Sequence, residues 1–136
     1  NDYLEQLLVD KNFESACELM SSFLNSDLLT RAEHKIQTVQ QAIQLYQNQI
    51  EQQVSKVSGQ LYVSQKTLTR YFKEILGINP KTCFNIIRLR TALKHYVEHN
   101  QSFSIYDFGY TDYSHFVKEV KKYTHHIPSQ LNLLNL

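Results

Sequence analysis

Two short stretches of the chain place polar and basic side chains at matching distances after a residue that can cap a helix. These caps are Ser64 and Asp112. The residues one, two, five and six positions later share one helical face near its N-terminus. After the first cap they are Gln65, Lys66, Thr69 and Arg70. After the second cap they are Tyr113, Ser114, Val117 and Lys118. Arg and Lys can donate to guanine and Gln to adenine, and Thr or Val methyl groups can contact thymine, so these eight residues are candidate contacts to DNA bases.

Further residues of both stretches are suited to bind phosphate. A capped helix start leaves backbone N–H groups facing outward, where an anion can bind. Basic side chains one turn further along the helix can reach the phosphate backbone. The candidate phosphate contacts are Ser64, Lys73, Asp112, His115, Lys121 and Lys122. This chemistry predicts a helix that enters the major groove of double-stranded DNA by its N-terminal end.

The two stretches belong to a repeat, because residues 61–80 and 109–128 align without a gap. The aligned pairs agree in the character that a helix requires. They are Tyr62 with Tyr110, Ser64 with Asp112, Leu68 with Phe116, Arg70 with Lys118, Phe72 with Val120, Lys73 with Lys121 and Pro80 with Pro128. Each copy predicts a helix-turn-helix unit. Two copies predict two recognition helices on one chain.

The intervening residues predict the elements that hold the recognition helices. The first recognition helix should span 65–76, with Gly77 at its C-terminal end. Its inward residues should be Leu68, Phe72 and Ile75. Asn79 and Pro80 should begin a helix that runs to Glu98, about 28 Å long at 1.5 Å per residue. One turn of B-DNA is about 34 Å, so this connecting helix could hold the two recognition helices in successive major grooves. A short helical segment should precede the second recognition helix.

The N-terminal part predicts two short amphipathic helices within residues 1–24 and a polar connection at 25–30 that ends on Thr30 as a cap. Their apolar faces are Tyr3, Leu4, Leu7 and Leu8, then Phe13, Ala16, Cys17, Met20 and Phe23. The Gln-rich segment that follows predicts helices at about 31–47 and 50–61. Their apolar stripes are Ile36, Val39, Ile43 and Tyr46, then Val54, Val57 and Leu61.

The composition is that of an all-α globular chain. Only three Gly and two Pro occur in 136 residues, which favours long helices. Residues 1–50 hold three basic and seven acidic residues, and the remainder holds eleven basic and six acidic ones, so the half with the repeat carries a charge of +5. A basic half suggests an anionic partner. Cys17 and Cys83 both sit among apolar residues and do not suggest a disulfide framework. No apolar run approaches the roughly 20 residues of a membrane span.

Other chemistries have weaker support. His95 and His99 stand four residues apart on a predicted helix, as a metal pair would, but no third ligand is apparent. No nucleophile–base pair accompanies a Gly-rich loop, so we expect no enzyme. An aromatic surface for single strands is the less favoured interpretation, because the spacing of Phe72, Phe84 and Phe116 predicts a core. We therefore expect no bound metal.

The segment from about residue 54 to 131 resembles the DNA-binding domain of the AraC/XylS transcription regulators. The resemblance rests on "VSQKTLTRYFKEILGINPK", "RLRTAL" and "GYTDYSHFVKEVKKYTHHIPSQL". It implies an all-α fold in which two helix-turn-helix units are joined by a long connecting helix and preceded by short N-terminal helices. It also implies that the DNA-binding part holds no cofactor. It departs from the family at His125, where a Gly usually ends the second recognition helix, and in a shortened helix start near residues 102–108. We therefore expect the second unit to specify bases less strongly than the first.

The resemblance also implies a domain organisation and a set of partners. Residues 1–30 would be a helical connection from an N-terminal sensor-like domain that is missing here, and residues 31–136 the DNA-binding domain. Within it, the first unit would span about 50–77, the connecting helix about 80–98 and the second unit about 102–124. The implied function is sequence-specific regulation of transcription, with double-stranded DNA as partner and RNA polymerase subunits as further candidates. Any effector ligand would bind the missing domain, and the protein would lie in the cytoplasm at a bacterial nucleoid. The alternative is a degenerate helical protein-interaction module that no longer binds DNA.

Overall fold

The structure, a computed structural model, describes residues 13–50, 53–99 and 101–131. Their helices are α1 (Phe13–Asn48), α2 (Val54–Gln60), α3 (Gln65–Leu76), α4 (Pro80–Glu98), a 3-10 helix (Ile105–Phe108), α5 (Tyr113–Thr124) and α6 (Pro128–Leu131). No strand occurs in these ranges, and the predicted all-α class is confirmed. The first recognition helix and the connecting helix have the predicted bounds, because their caps, Gly77 and Pro80 are local signals.

Residues 13–48 form one helix, where the sequence predicted a short helix, a polar connection and a second helix. Helix α1 runs through 36 residues, so the polar connection expected at 25–30 is wrong. The hydroxyl of Thr30 does not cap a new helix but donates to the carbonyl of Ser26 at 2.9 Å. Arg31 and Asp27 form an ion pair of 3.0 Å across the expected break. Residues 13–48 contain no Gly or Pro, and Asn, Ser or Asp in a helix interior costs less than about 0.7 kcal/mol each. The predicted face at residues 3–8 lies outside the described residues.

The chain divides into two compact units, Asn1–Gln37 and Thr38–Leu136. In the described part of the first unit, many large apolar side chains are exposed. They are Leu19, Met20, Phe23, Leu24, Leu28, Leu29 and Ile36. Cys17 is also exposed, whereas Cys83 in the second unit is buried and burial raises the pKa of its thiol. The described part of the first unit therefore exposes apolar surface, and it adds no residue to either of the two hydrophobic cores.

The first core of the second unit holds α3 against α2, the end of α1 and the start of α4. Its buried residues are Val39, Ala42, Tyr46, Val57, Leu68, Phe72, Cys83 and Phe84. The rings of Tyr46 and Phe84 stack at 4.2 Å. Helix α2 begins at Val54 and not near residue 50, because Gln53 is extended and serves as its N-cap residue. Ile75 was expected to face inward but is 38% exposed in the last turn of α3, beside the exposed Leu76.

The second core holds α5 against the second half of α4, the 3-10 helix and α6. Its buried residues are Leu89, Ala92, Ile105, Phe108, Tyr110, Phe116, Val120 and Leu131. Helix α4 contributes Phe84 to the first core and Leu89 to the second. One rigid helix of 19 residues thus supports both recognition helices.

Candidate nucleic-acid interface

The two recognition helices, α3 and α5, begin and end by the same local chemistry. The hydroxyl of Ser64 accepts a hydrogen bond from the backbone N–H of Thr67 at 3.0 Å. The carboxylate of Asp112 accepts one from the N–H of His115 at 2.8 Å. At the other end, Gly77 has φ 73° and His125 has φ 61°, both in the left-handed region. Each helix has 12 residues, so the sequence repeat produces two matching elements.

The predicted base contacts lie on matching surfaces of α3 and α5. The first, second and sixth residues after each cap are exposed, and the fifth is half-buried. The exposed ones are Gln65, Lys66, Arg70, Tyr113, Ser114 and Lys118, and the half-buried ones are Thr69 and Val117. Of the predicted phosphate contacts, Lys73, His115, Lys121 and Lys122 are exposed as well. The structure thus brings each set onto the accessible side of its helix, opposite the buried Leu68 and Phe116.

One aligned pair of the repeat differs in the structure. Tyr62 is 97% exposed in the turn before α3, whereas Tyr110 is 2% exposed in the second core. Tyr62 itself takes the left-handed conformation, with φ 56°, whereas in the second copy this conformation falls on Gly109, one position earlier relative to the cap. The turn therefore enters each recognition helix along a different path, which the alignment of residue types did not reveal.

The side chains of both caps already form hydrogen bonds within the protein. The hydroxyl of Ser64 also donates to the hydroxyl of Thr67 at 2.9 Å, and the carboxylate of Asp112 accepts from backbone. A phosphate at either position would use the neighbouring N–H groups of the first helical turn. At Asp112 that phosphate would lie beside a carboxylate, which repels it.

Arg70 lies beside a carboxylate that the sequence analysis did not include. Its Nε is 4.0 Å from an oxygen of Glu74, one turn along α3, and its guanidinium lies 5.4 Å from the ring centre of Tyr71. An exposed pair of this kind contributes less than about 1 kcal/mol to stability, so it leaves the guanidinium available to DNA. Glu74 could itself accept a hydrogen bond from cytosine.

The side chain of Tyr113 is partly packed against the second core. Its side chain is 52% exposed, and its ring centre lies 5.9 Å from that of Phe116. Burial raises the pKa of Tyr113, and the hydrogen-bonded hydroxyl of Tyr96 raises it further. Only the exposed edge of this ring is therefore offered to a ligand.

A half-buried polar network holds α5 to α4. Arg88 donates from Nη2 to Glu119 Oε1 at 2.9 Å, and the hydroxyl of Tyr110 donates to Glu119 Oε2 at 2.6 Å. The guanidinium of Arg88 also lies 4.5 Å from the ring centre of Tyr110. Burial and the bond to Glu119 raise the pKa of Tyr110 well above its usual value. Sequence reasoning missed this network, because Arg88 and Glu119 are 31 positions apart in the chain.

The described residues provide neither a metal site nor a membrane-spanning helix. No group of three or more His, Cys, Asp or Glu among the described residues could hold a metal ion. Where the structure describes the chain, no helix has the length and apolar character needed to cross a membrane. The rings of His95 and His99 do meet, at 4.7 Å between centres, but without a third ligand.

Two capped recognition helices with exposed polar and basic faces, joined by one shared helix, define a tandem helix-turn-helix DNA-binding domain. A family model described as a helix-turn-helix domain matches residues 57–132, which is more than half of the chain. The chain belongs to this family, the AraC-type helix-turn-helix proteins, and the resemblance inferred from the sequence is confirmed. It is a DNA-binding domain of the transcription-regulator kind. A comparison with curated proteins gives no match.

Proposed function

We propose that the chain binds double-stranded DNA sequence-specifically, with α3 and α5 in successive major grooves. The observation that carries the proposal is the repetition of one capped helix with the same exposed positions at both ends of α4. Helix α4 spans about 28 Å at 1.5 Å per residue, a separation that suits neighbouring major grooves on one side of a duplex. Contacts by RNA polymerase and by an effector-binding domain remain predictions from the family resemblance.

The two recognition helices are proposed to be unequal in their base contacts. Helix α3 offers Gln65, Lys66 and Arg70 as donors, whereas α5 offers Lys118 as its one long cationic donor at the matched positions. Tyr113, the matched residue at the start of α5, is partly packed on the second core. A bound site should contain one strongly specified half and one weakly specified half about one helical turn away.

Selection of binding sequences from a random duplex pool, followed by equilibrium binding at several salt concentrations, tests this proposal. We expect a motif with two elements about 10 base pairs apart. Log affinity should fall linearly with log salt, because Lys and Arg contacts release counterions from phosphate. Base changes in the strong half should cost about 1–3 kcal/mol each, and changes in the weak half should cost less. Affinity independent of salt, equal binding by residues 1–50 alone, or equal costs in both halves would contradict these expectations.

A further inference from the structure

A cleft of about 850 Å³ lies between the two helix-turn-helix units of the second compact unit. Helix α4 lines it together with the start of α2, the start of α3 and the turn before α5. Its polar lining residues are Gln53, Ser55, Gln65, Lys81, Asn85, Arg88 and Thr111. The lining includes two cationic side chains and no carboxylate. Its chemistry is therefore that of a site for an anion.

The lining of the cleft includes residues at the N-terminal ends of the two recognition helices. Gln65 is the first residue of α3, and Thr111 stands directly before Asp112, the cap of α5. When these two ends enter successive major grooves, the part of the duplex between them is a minor groove with a phosphate strand on each side. The cleft then faces sugar and phosphate, and not the base edges of a major groove.

The two cations of the cleft differ in their availability. Arg88 is 15% exposed and its charge is matched by Glu119, while its buried Nε has no hydrogen-bond partner in the described structure. Lys81 is exposed in the first turn of α4 and forms no ion pair among the described residues. Ser55 and Thr111 are exposed hydroxyls that could donate to phosphate oxygens beside it. Lys81 is thus the principal uncompensated charge, and it lies outside both recognition helices.

We propose that this cleft binds the phosphate backbone between the two major-groove sites, with Lys81 as its main cation. The inference rests on the proposed function, because it requires both recognition helices on one duplex. A lysine acts here as a point charge that neutralises phosphate without selecting a base. The contact forms only when the DNA extends past both units, so Lys81 favours occupation of the whole site over occupation of one half.

The experiment compares the full chain carrying Lys81→Gln with a control carrying Lys94→Gln. Lys94 is exposed on the same helix and lines a different groove, with Arg90 and Glu98. Each variant is titrated with a duplex that covers both halves and with a duplex of about 10 base pairs that covers only the first. Circular dichroism and thermal unfolding establish that both variants remain folded.

We expect Lys81→Gln to weaken binding to the long duplex several-fold, to the same extent for different sequences, and to lower the salt slope by about one. Binding to the short duplex should be unchanged, and Lys94→Gln should alter neither. Equal binding of the long duplex by Lys81→Gln and the unaltered chain would overturn the inference alone. An equal loss on the short duplex would also overturn it, because Lys81 would then act with α3 only. Failure of the unaltered chain to bind any duplex would overturn the proposed function as well.

Inorganic phosphate distinguishes a backbone site from a site for a free anion. We expect millimolar phosphate to weaken DNA binding only as much as another salt of equal ionic strength, for the unaltered chain and for Lys81→Gln alike. Saturable binding of phosphate by the unaltered chain that Lys81→Gln abolishes, with no change in DNA affinity, would assign the cleft to a small anion and overturn the inference.

Discussion

Arg70 and Lys73 lie three residues apart on the exposed side of α3, and their side chains suit different partners. Arg70 has a planar guanidinium that lies near Glu74 and the ring of Tyr71 and remains exposed. A guanidinium can donate two parallel hydrogen bonds to guanine. Lys73 stands in the last turn of the helix, away from the N-terminal end that enters the groove. Its flexible ammonium suits phosphate.

Substitution of each residue by alanine should therefore have a different signature. Arg70→Ala should cost about 1–3 kcal/mol on the preferred site and relax the preference at one base pair. Lys73→Ala should weaken all duplexes similarly and lower the salt slope by about one. Equilibrium binding to a panel of single-base variants separates the two effects. If Arg70→Ala weakened every member of the panel equally, Arg70 would be a phosphate contact.

His125 ends α5 in a conformation that favours glycine, and the matching residue at the end of α3 is Gly77. A side chain in the left-handed region costs about 1–2 kcal/mol, and glycine loses about 0.5–1 kcal/mol of that advantage through unfolded-state entropy. His125→Gly should therefore raise the free energy of unfolding by about 0.5–1 kcal/mol, measured by urea denaturation.

Gly77→Ala is the matched control, and it should lower the free energy of unfolding. A Cβ at Gly77 would have no heavy atom within 4 Å, so only the backbone conformation opposes it. The expected cost is about 1 kcal/mol. No gain from His125→Gly, together with a loss from Gly77→Ala, would mean that the imidazole makes a compensating contact.

At the scale of elements, α5 owes its position to the second core and to one half-buried network. The 3-10 helix before α5 has only four residues, so little local structure supports the N-terminal end of α5. The bonds from Arg88 and Tyr110 to Glu119 join α5 to α4 and to the turn after Gly109. Both partners of the ion pair are less than one-fifth exposed, so the loss of one charge leaves the other poorly solvated.

Glu119→Gln should consequently affect the second half of the DNA site more than the first. Gln keeps the shape of the side chain but leaves Arg88 without its counter-charge. We expect a loss of about 1–3 kcal/mol in stability and a loss of discrimination between bases in the weak half. Glu98→Gln, which removes an exposed acid from the end of α4, is the control and should change neither. Unchanged discrimination in a variant that is measurably less stable would assign the network to folding alone.

Sequence reasoning predicted well those helices whose ends are marked by capping residues, Gly or Pro. The bounds of α3 follow from Ser64 and Gly77, and the start of α4 follows from Asn79 and Pro80, all of which act within one turn. The continuity of α1 was missed because Asn, Ser and Asp were given too much weight as breakers. The pair of Arg88 with Glu119 joins residues 31 positions apart, so no local pattern specifies it. Likewise, the cleft at Lys81 forms only when both helix-turn-helix units have packed on α4.

At the scale of the whole molecule, the first unit and the DNA-binding unit carry different kinds of surface. Residues 1–50 are acidic, and the described part of the first unit exposes large apolar side chains such as Phe23 and Leu29. Apolar patches of this kind are typical of contacts between proteins. Acidic side chains are repelled by phosphate, so we expect this segment to add no DNA affinity.

Removal of residues 1–37 should therefore change self-association or solubility more than DNA affinity. The remaining chain keeps Val39, Ala42 and Tyr46, which the first core requires. Sedimentation and equilibrium DNA binding, measured on the full chain and on residues 38–136, provide the comparison. A large loss of affinity in a truncated chain with normal helical content would place a DNA contact in the first unit.

Because α4 belongs to both cores, the two helix-turn-helix units share their backbone as well as their side-chain contacts. Unfolding of either unit would remove packing from one half of α4 and leave its apolar side chains exposed, so we expect the two units to unfold together. The second compact unit should melt in a single cooperative transition. Its slowest amide protons should lie along α4 and exchange only through global unfolding, while those of the four-residue 3-10 helix should exchange through local opening. The pair of recognition helices is thus gained or lost together.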